Sequence, residues 1–292
     1  MQKPLMTDFH RLLARQKFKD EKEMKAFLDN LTGKSLYDLP EMELSPQEKA
    51  QDLVYEAFQL TPAKAKKNIE KALALDANCI EAYEFLASQQ KTPEKIIEML
   101  DQGIAIGREM FGGKFLKKNK GKFWGIHETR PFMRCLFQKA DIFVVIGKIA
   151  EGVEIMEEML KLNDGDNQGV RFSLLSALIV LDEPDKFRKY NKMCADDNVS
   201  ASVFYSRALF AYKTEGDSAN ARKLLEKAFE KNPNVVQKLL DILDENYKFK
   251  NVEHYSLGSP EEAIVYWNYA IFTWKRIEGA IEWLLRTIRQ IL

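Results

Sequence analysis

The sequence predicts an all-α protein: an α-solenoid of stacked helical hairpins, with an N-terminal helical extension and a C-terminal helical cap. Apolar residues recur at helical spacing along most of the chain, and no segment shows the apolar–polar alternation of a strand. One 34-residue segment, residues 202–235, has the pattern of a helix–turn–helix repeat unit. Because a single hairpin cannot bury its apolar face alone, this unit predicts neighbours packed on both sides.

Segment 202–235 matches the tetratricopeptide pattern in its aromatic, small and turn positions. Gly216 and Asp217 form the predicted turn between its two helices. The other matching residues are Tyr205, Tyr212, Ala221, Leu225, Ala228 and Pro233. We therefore use this segment as the reference pattern for the other repeats in the chain.

The remaining elements follow in order along the chain. Met24, Phe27 and Leu31 share one helical face and predict a helix over residues 20–31, followed by a connector. Ser45, Pro62 and Pro93 mark helix starts in two repeats over residues 45–110. Two more repeats are predicted between residues 131 and 196, then 202–235, then capping helices near 260–275 and 277–290. We predict an extension and linker at 1–44 and a repeat domain at 45–292, with a loop insert at about 111–128.

Composition limits the classes of partner and location. The 44 basic and 44 acidic residues cancel, so no global field attracts nucleic acid or an anionic membrane. Cys79, Cys135 and Cys194 have neither disulfide-framework nor zinc spacing, which favours a reducing cytoplasm. The N-terminus lacks the apolar core of a secretory signal, and no apolar stretch is long enough to span a bilayer. We expect a cytoplasmic protein without a membrane contact.

Catalysis is not expected. Of the three histidines only His127 adjoins other reactive groups, Glu128 and Cys135, and neighbouring positions on a helix do not share a face. There is no nucleophile elbow, phosphate-binding glycine loop or HExxH motif. The sequence predicts a protein that is not an enzyme and has no cofactor, metal site or catalytic residue.

Four sequence segments are more distinctive than the general pattern of a helical repeat. They are AQDLVYEAF at 50–58, FWGIHETRPFMR at 123–134, NDGDNQGVRF at 163–172 and HYSLGSPEEAIVY at 254–266. Together they resemble a bacterial tetratricopeptide-repeat-like family that is grouped with the suppressor of tumorigenicity proteins, over roughly residues 45–287. The resemblance implies an all-helical repeat protein that binds other proteins, and it carries no catalytic mechanism, cofactor or defined ligand.

Two of these segments place polar residues at predicted helix starts. First helices of successive repeats lie side by side, so Glu128 and Arg130 are expected near Asn167, Gln168 and Arg171. One interpretation is structural, with carboxylates capping helices and arginines pairing with them. The other is that this edge grips a partner's carboxylate or C-terminus, since helix N-termini favour anions.

The predicted function is a scaffold that binds a peptide or helix of another protein on the concave surface of the repeats. Tyr205, Arg207 and Tyr212 are candidate contacts there. The partner itself is not identified by the sequence.

A different class of function is carried by the insert. Its lysines could contact the phosphates of a single-stranded nucleic acid while the flanking aromatic rings stack on the bases. The candidate residues are Lys117, Lys118, Lys120, Lys122 and Trp124. The alternative function is thus RNA or single-stranded nucleic-acid binding through residues 114–124.

The C-terminal helices are rich in aromatic residues. Trp267, Ile271 and Trp274 share one face, which predicts a core stripe. The flank formed by Tyr266, Tyr269 and Phe272 is less polar than a terminal cap requires, which suggests a homodimer through these helices.

Overall fold

The computed structural model describes residues 7–33, 42–195, 200–244, 247, 252 and 254–292, and these residues form sixteen α-helices. The first eight are α1 (Thr7–Arg15), α2 (Glu21–Leu31), α3 (Pro46–Ala57), α4 (Pro62–Leu75), α5 (Ile80–Ser88), α6 (Pro93–Met110), α7 (Gly113–Asn119) and α8 (Arg130–Val145). The other eight are α9 (Ile149–Leu162), α10 (Val170–Leu181), α11 (Pro184–Lys192), α12 (Ala201–Glu215), α13 (Ala219–Lys231), α14 (Asn234–Leu243), α15 (Pro260–Arg276) and α16 (Ala280–Ile291).

Helices account for nearly all regular structure in these ranges. Two 3₁₀ turns, Phe123–Gly125 and His127–Thr129, precede α8. Within the described ranges, strand-like pairing is limited to a single bridge between Lys122 and Asn163. The predicted all-α class is confirmed.

The chain divides into two compact units. The first consists of Met1–Lys118 and Phe123–Cys135, and the second of Asn119–Lys122 and Leu136–Leu292. The predicted connector before Ser45 falls largely on residues 34–41, outside the described residues. The boundary between an extension at 1–44 and a repeat domain at 45–292 stays a prediction.

In the first unit, the helices begin where capping chemistry favours a start. Ser45 accepts a hydrogen bond from the Glu48 N–H while the Glu48 side chain accepts from the Ser45 N–H, a complete capping box. Pro62 and Pro93 are the first residues of α4 and α6, where a missing N–H is tolerated. α3 packs on α4, and α5 packs on α6. The core between α3, α4 and α5 contains Ala50, Val54, Ala57, Ala65, Ile69, Ala72 and Phe85.

Helix α1 was not predicted from the sequence, and it is attached to α3 by polar contacts. Arg11 is only 7% exposed, and its Nη1 lies 2.9 Å from an Asp52 carboxylate oxygen. Its Nη2 donates to the Gln51 side chain at 2.9 Å. These charge-assisted hydrogen bonds from a buried arginine attach the short helix α1 to α3.

The insert contains more regular structure than the loop that the sequence predicts. Lysine is a good helix former, and α7 occupies residues 113–119. Phe115 at its centre contacts Phe111 and Phe123, with ring centroids 5.2 and 5.9 Å apart. Phe123 also contacts Phe132 of α8 at 6.3 Å. This aromatic cluster packs the start of α7 and the first 3₁₀ turn together within the first unit.

In the second unit, α12 and α13 form the hairpin expected from segment 202–235. Gly216, which ends α12, has φ +68°, a left-handed value that favours glycine in a tight turn. Further along, Trp267 and Trp274 of α15 and Trp283 of α16 are fully buried, which confirms the core stripe. Tyr266 is buried as well, and self-association through these helices stays a prediction.

In the ranges that the structure describes, no helix combines the length and the apolar character that crossing a bilayer requires.

Candidate functional site

The second unit contains a cavity of about 520 Å³, a volume typical of ligand sites. Helix α8 provides Phe137, Asp141 and Val145, and α15 provides Tyr269 and Phe272. The third wall is the end of the α9–α10 loop and the first turns of α10. It contributes Asp166, Asn167, Gln168, Arg171, Phe172, Ser173 and Ser176. The cavity therefore combines aromatic surface with a small number of charged groups.

The loop wall is shaped by Asp166 and Gly169. Asp166 has φ +42°, which aspartate tolerates better than most residues, and Gly169 has φ +69°. The two Asp166 carboxylate oxygens accept from the backbone N–H groups of Val170 at 2.7 Å and Arg171 at 3.1 Å. The carboxylate thus occupies the donors at the N-terminus of α10.

Arg171 is held by the same carboxylate and by an aromatic ring. Its Nη1 donates to Asp166 Oδ2 at 3.3 Å, and its guanidinium carbon lies 4.7 Å from the centre of the Phe172 ring. Burial raises the pKa of Asp166, although the N–H groups and Arg171 oppose the rise. The arrangement is an ion pair that orients the first turn of α10.

Asp141 is the other carboxylate on the cavity wall, and its surroundings are different. It is half-buried on α8, and within the described part of the chain it makes no hydrogen bond or ion pair. Burial raises its pKa to about 7. Near neutral pH this carboxyl is therefore divided between its neutral and its ionised form, and burial is the cause of the shift.

Polar groups on the α15 wall form hydrogen bonds to neighbouring helices. The Tyr269 hydroxyl pairs with Ser202 of α12, and Ser176 of α10 donates to Thr273 at 2.9 Å. These contacts hold α10, α12 and α15 together beneath the aromatic surface of the cavity.

The structure places the predicted polar residues in two units. Asn167, Gln168 and Arg171 line the cavity of the second unit. Glu128 and Arg130 belong to the first unit, where Arg130 Nε donates to the Trp124 carbonyl at 2.9 Å and Glu128 is exposed. The expected proximity of the two groups stays a prediction.

The predicted concave-face residues are engaged in packing. Tyr205 is fully buried and donates to the Asn232 carbonyl at 3.0 Å. Arg207 donates from Nε to Asn191 at 2.7 Å and from Nη2 to the Cys194 carbonyl at 3.0 Å. Tyr212 stacks on Trp283 with ring centroids 4.4 Å apart. In this arrangement all three contact the protein's own residues, and a role in partner binding stays a prediction.

The lysines proposed for nucleic acid are exposed, but the neighbouring rings are covered. Lys117 and Lys118 lie on α7, and Lys120 and Lys122 lie in the turn that follows it. Phe123 is 1% exposed, and Trp124 is half-buried with the Arg130 guanidinium 5.6 Å from its ring centre. Stacking on a base would require Trp124 to leave this contact.

Sequence reasoning did not identify Asp141 as a functional candidate. It occurs in FQKADIFVV, within a largely apolar helix, and a single aspartate there was a signal that could have been noticed. Phe137, one helical turn earlier, faces the same cavity. What the sequence could not show is that this helix face lines a cavity instead of packing solidly.

The cysteine thiols and the metal-ligating side chains elsewhere in the described residues do not form a catalytic or metal-binding cluster. Cys79, Cys135 and Cys194 are buried and form no disulfide, and burial raises the pKa of the Cys135 thiol. Across the described ranges, no group of three or more histidine, cysteine or acidic side chains is placed to hold a metal ion. The predicted lack of enzymatic activity stays a prediction.

No family model matches the chain. The chain is similar to proteins named suppressor of tumorigenicity 7 protein-like. The Bos taurus protein is 26% identical over 249 residues, and the Rattus norvegicus protein 25% identical over 256 residues. Each alignment covers 76% of this chain but 43% of the relative, so the chain spans less than half the length of the curated relatives it matches. The similarity supports the grouping with the suppressor of tumorigenicity proteins.

Proposed function

We propose that this chain is a non-catalytic scaffold that binds a peptide segment of another protein, and that the cavity between α8, α10 and α15 is where the peptide enters. The observation that carries the proposal is the cavity itself, about 520 Å³ in volume and lined by aromatic rings with a few polar groups. Peptide-binding sites combine apolar pockets for side chains with polar groups that set orientation.

The helix spacing supports a repeat architecture of the tetratricopeptide type. Helices α3 and α5 begin at residues 46 and 80, one repeat of about 34 residues apart. Tyr205, Ala221 and Ala228 are buried at positions where the repeat pattern places packing residues. We propose that the helical hairpins stack as an α-solenoid, an architecture that exposes extended binding surfaces. Three buried cysteines that form no disulfide favour a cytoplasmic location, as the sequence predicts.

The proposal is tested by filling the cavity. Val145 lines it and is 48% exposed, so Val145→Trp adds bulk at its rim with little disturbance of the core. Ile146, 37% exposed and outside the cavity lining, gives the matched control Ile146→Trp. Peptides are first selected from a random phage library on the wild-type protein, and their affinities are then measured by fluorescence anisotropy.

We expect the selected peptides to bind wild type and Ile146→Trp equally and to bind Val145→Trp at least tenfold more weakly. Equal binding to all three proteins, or a library that yields no binding peptide, would contradict the proposal. Affinity that changes little between about 50 and 200 mM salt would further indicate mainly apolar contacts.

Nucleic-acid binding is the second candidate, and the exposure of Lys117, Lys118, Lys120 and Lys122 favours it. The covered positions of Phe123 and Trp124 make it the weaker candidate, because stacking platforms supply much of the affinity for single strands.

A further inference from the structure

The charges on the cavity wall are unequally matched. Asp166 and Arg171 neutralise each other, and the Asp166 oxygens also accept the N–H groups that open α10. Asp141 has no such partner in the described part of the structure. The unbalanced charge of the cavity is therefore negative when Asp141 is ionised.

We propose that the cavity is selective for a basic side chain, lysine or arginine, of the bound peptide, with the cationic group against Asp141. The inference rests on the proposed peptide-binding function and names the residue class that its cavity selects. An ion pair formed in a half-buried site is stronger than one at the surface, because water screens it less.

The aromatic lining suits such a side chain. The rings of Phe137, Phe272 and Tyr269 present apolar surface to the cavity, and a lysine or arginine stem packs its methylene groups on surfaces of this kind. A cation close to an aromatic face is attracted further by the ring quadrupole. Asp141 and the rings thus recognise different parts of one side chain.

An acidic ligand fits this cavity poorly. The Val170 and Arg171 N–H groups that would receive an anion already donate to Asp166, and Arg171 Nη1 donates to the same carboxylate. In the described structure Arg171 Nε makes no hydrogen bond but is buried, and a ligand carboxylate that reached it would lie in the same cavity as the Asp141 carboxyl group. The cavity therefore favours a cationic ligand group over the partner carboxylate that the sequence led us to expect.

The test uses three small probes and one isosteric variant. The probes are the Nα-acetyl N-methylamides of lysine, norleucine and glutamate, of which the first two differ mainly by the ammonium group. Asp141→Asn removes the charge with almost no change of shape. Asp185→Asn is the matched control, because Asp185 lies in the first turn of α11 in the same unit and its side chain is 97% exposed. Binding is followed by saturation-transfer NMR and folding by near-UV circular dichroism.

We expect the lysine probe to bind wild type and Asp185→Asn at least tenfold more tightly than it binds Asp141→Asn, and Asp141→Glu to restore part of the affinity. Equal affinity of the lysine probe for wild type and Asp141→Asn would overturn the inference. So would norleucine or glutamate probes that bind wild type as tightly as lysine does.

The two proposals fail in different ways. If lysine and norleucine probes bind equally and both lose affinity in Val145→Trp, the cavity binds peptides without charge selection, and only this inference is wrong. If no probe binds, and the selected peptides bind Val145→Trp as tightly as wild type, the peptide-binding proposal is wrong as well.

Discussion

At the scale of single residues, Asp141 should make stability depend on pH. Its folded pKa of about 7 lies above the ordinary value of 3.8, so the folded state holds the proton more tightly than the unfolded state. Stability contributed by the protonated form is then lost as pH rises from about 4 to about 7. Asp141→Asn removes this loss and should stabilise the protein at pH 8 more than at pH 5, with a difference of about 2–3 kcal/mol.

Urea unfolding at the two pH values measures this difference. Asp185→Asn, which changes an exposed aspartate, should show almost no dependence on pH relative to wild type. If Asp141→Asn destabilises the protein at pH 8, the side chain must have a partner that the described residues do not reveal, and the cavity would not contain an unbalanced charge.

The same group predicts how ligand affinity responds to acid. A basic side chain binds the ionised form of Asp141, so affinity should fall as pH drops below about 7, approaching tenfold per pH unit. The other titratable groups that line the cavity are Asp166, Arg171, Tyr255 and Tyr269. Burial raises the pKa of Tyr269 well above its ordinary value, and it also raises the pKa of Asp166, although Arg171 and two N–H groups oppose that rise. Anisotropy titrations of a lysine-containing selected peptide between about pH 5.5 and 8 test this, and a flat profile would argue against Asp141 as the contact.

At the scale of elements, the contact between α6 and α8 depends on a residue without a side chain. A Cβ atom added to Gly107 would lie 2.6 Å from Cγ and 2.9 Å from Cβ of Phe132. Phe132 is only 3% exposed and contacts Phe111 and Phe123, so it has little room to move. Gly107→Ala should therefore destabilise the first unit by about 1–3 kcal/mol, although alanine is the better helix former.

Gly125→Ala is the control for this prediction, because a Cβ atom there meets nothing within 4 Å. It should change the midpoint of urea unfolding very little. Unchanged stability in Gly107→Ala would mean that α6 and α8 separate without loss and that the aromatic cluster does not fix them.

The elements also show what the sequence was able to predict. Helices with local start signals were found: Pro46, Pro62, Pro93 and Pro260 are each the first residue of a helix. α7 was missed because Gly112 and Gly113 suggested a loop, whereas its Phe115 packs on Phe123, which in turn contacts Phe132 of α8. Local signals are readable from the chain, but the packing of residues far apart in sequence is not.

The cavity follows the same rule. Asn167, Gln168 and Arg171 were singled out because helix-start polarity is a local pattern, and they do line the cavity. Asp141 and Phe272 were not linked to them, since they come from helices about 30 residues earlier and 100 residues later in the chain. Only the folded arrangement shows that these side chains share one space.

At the scale of the whole molecule, the charge balance weighs against the nucleic-acid candidate. The chain carries 44 basic and 44 acidic residues, so long-range attraction of a polyanion is absent. Binding of nucleic acid would depend on four neighbouring lysines, of which Lys117 and Lys118 lie on α7 and Lys120 and Lys122 follow it. Few phosphate contacts and no free stacking ring at Phe123 predict weak, salt-sensitive binding at most.

We therefore expect a fluorescein-labelled poly(U) RNA of about 20 nucleotides to bind with a Kd weaker than about 100 µM at about 150 mM salt. A variant with glutamine at the four lysine positions, 117, 118, 120 and 122, should bind the selected peptides as well as wild type does. Micromolar RNA affinity that falls by orders of magnitude between about 50 and 200 mM salt, and disappears in this variant, would reverse the assignment. The insert would then be the binding site, and the helical hairpins would serve to present it.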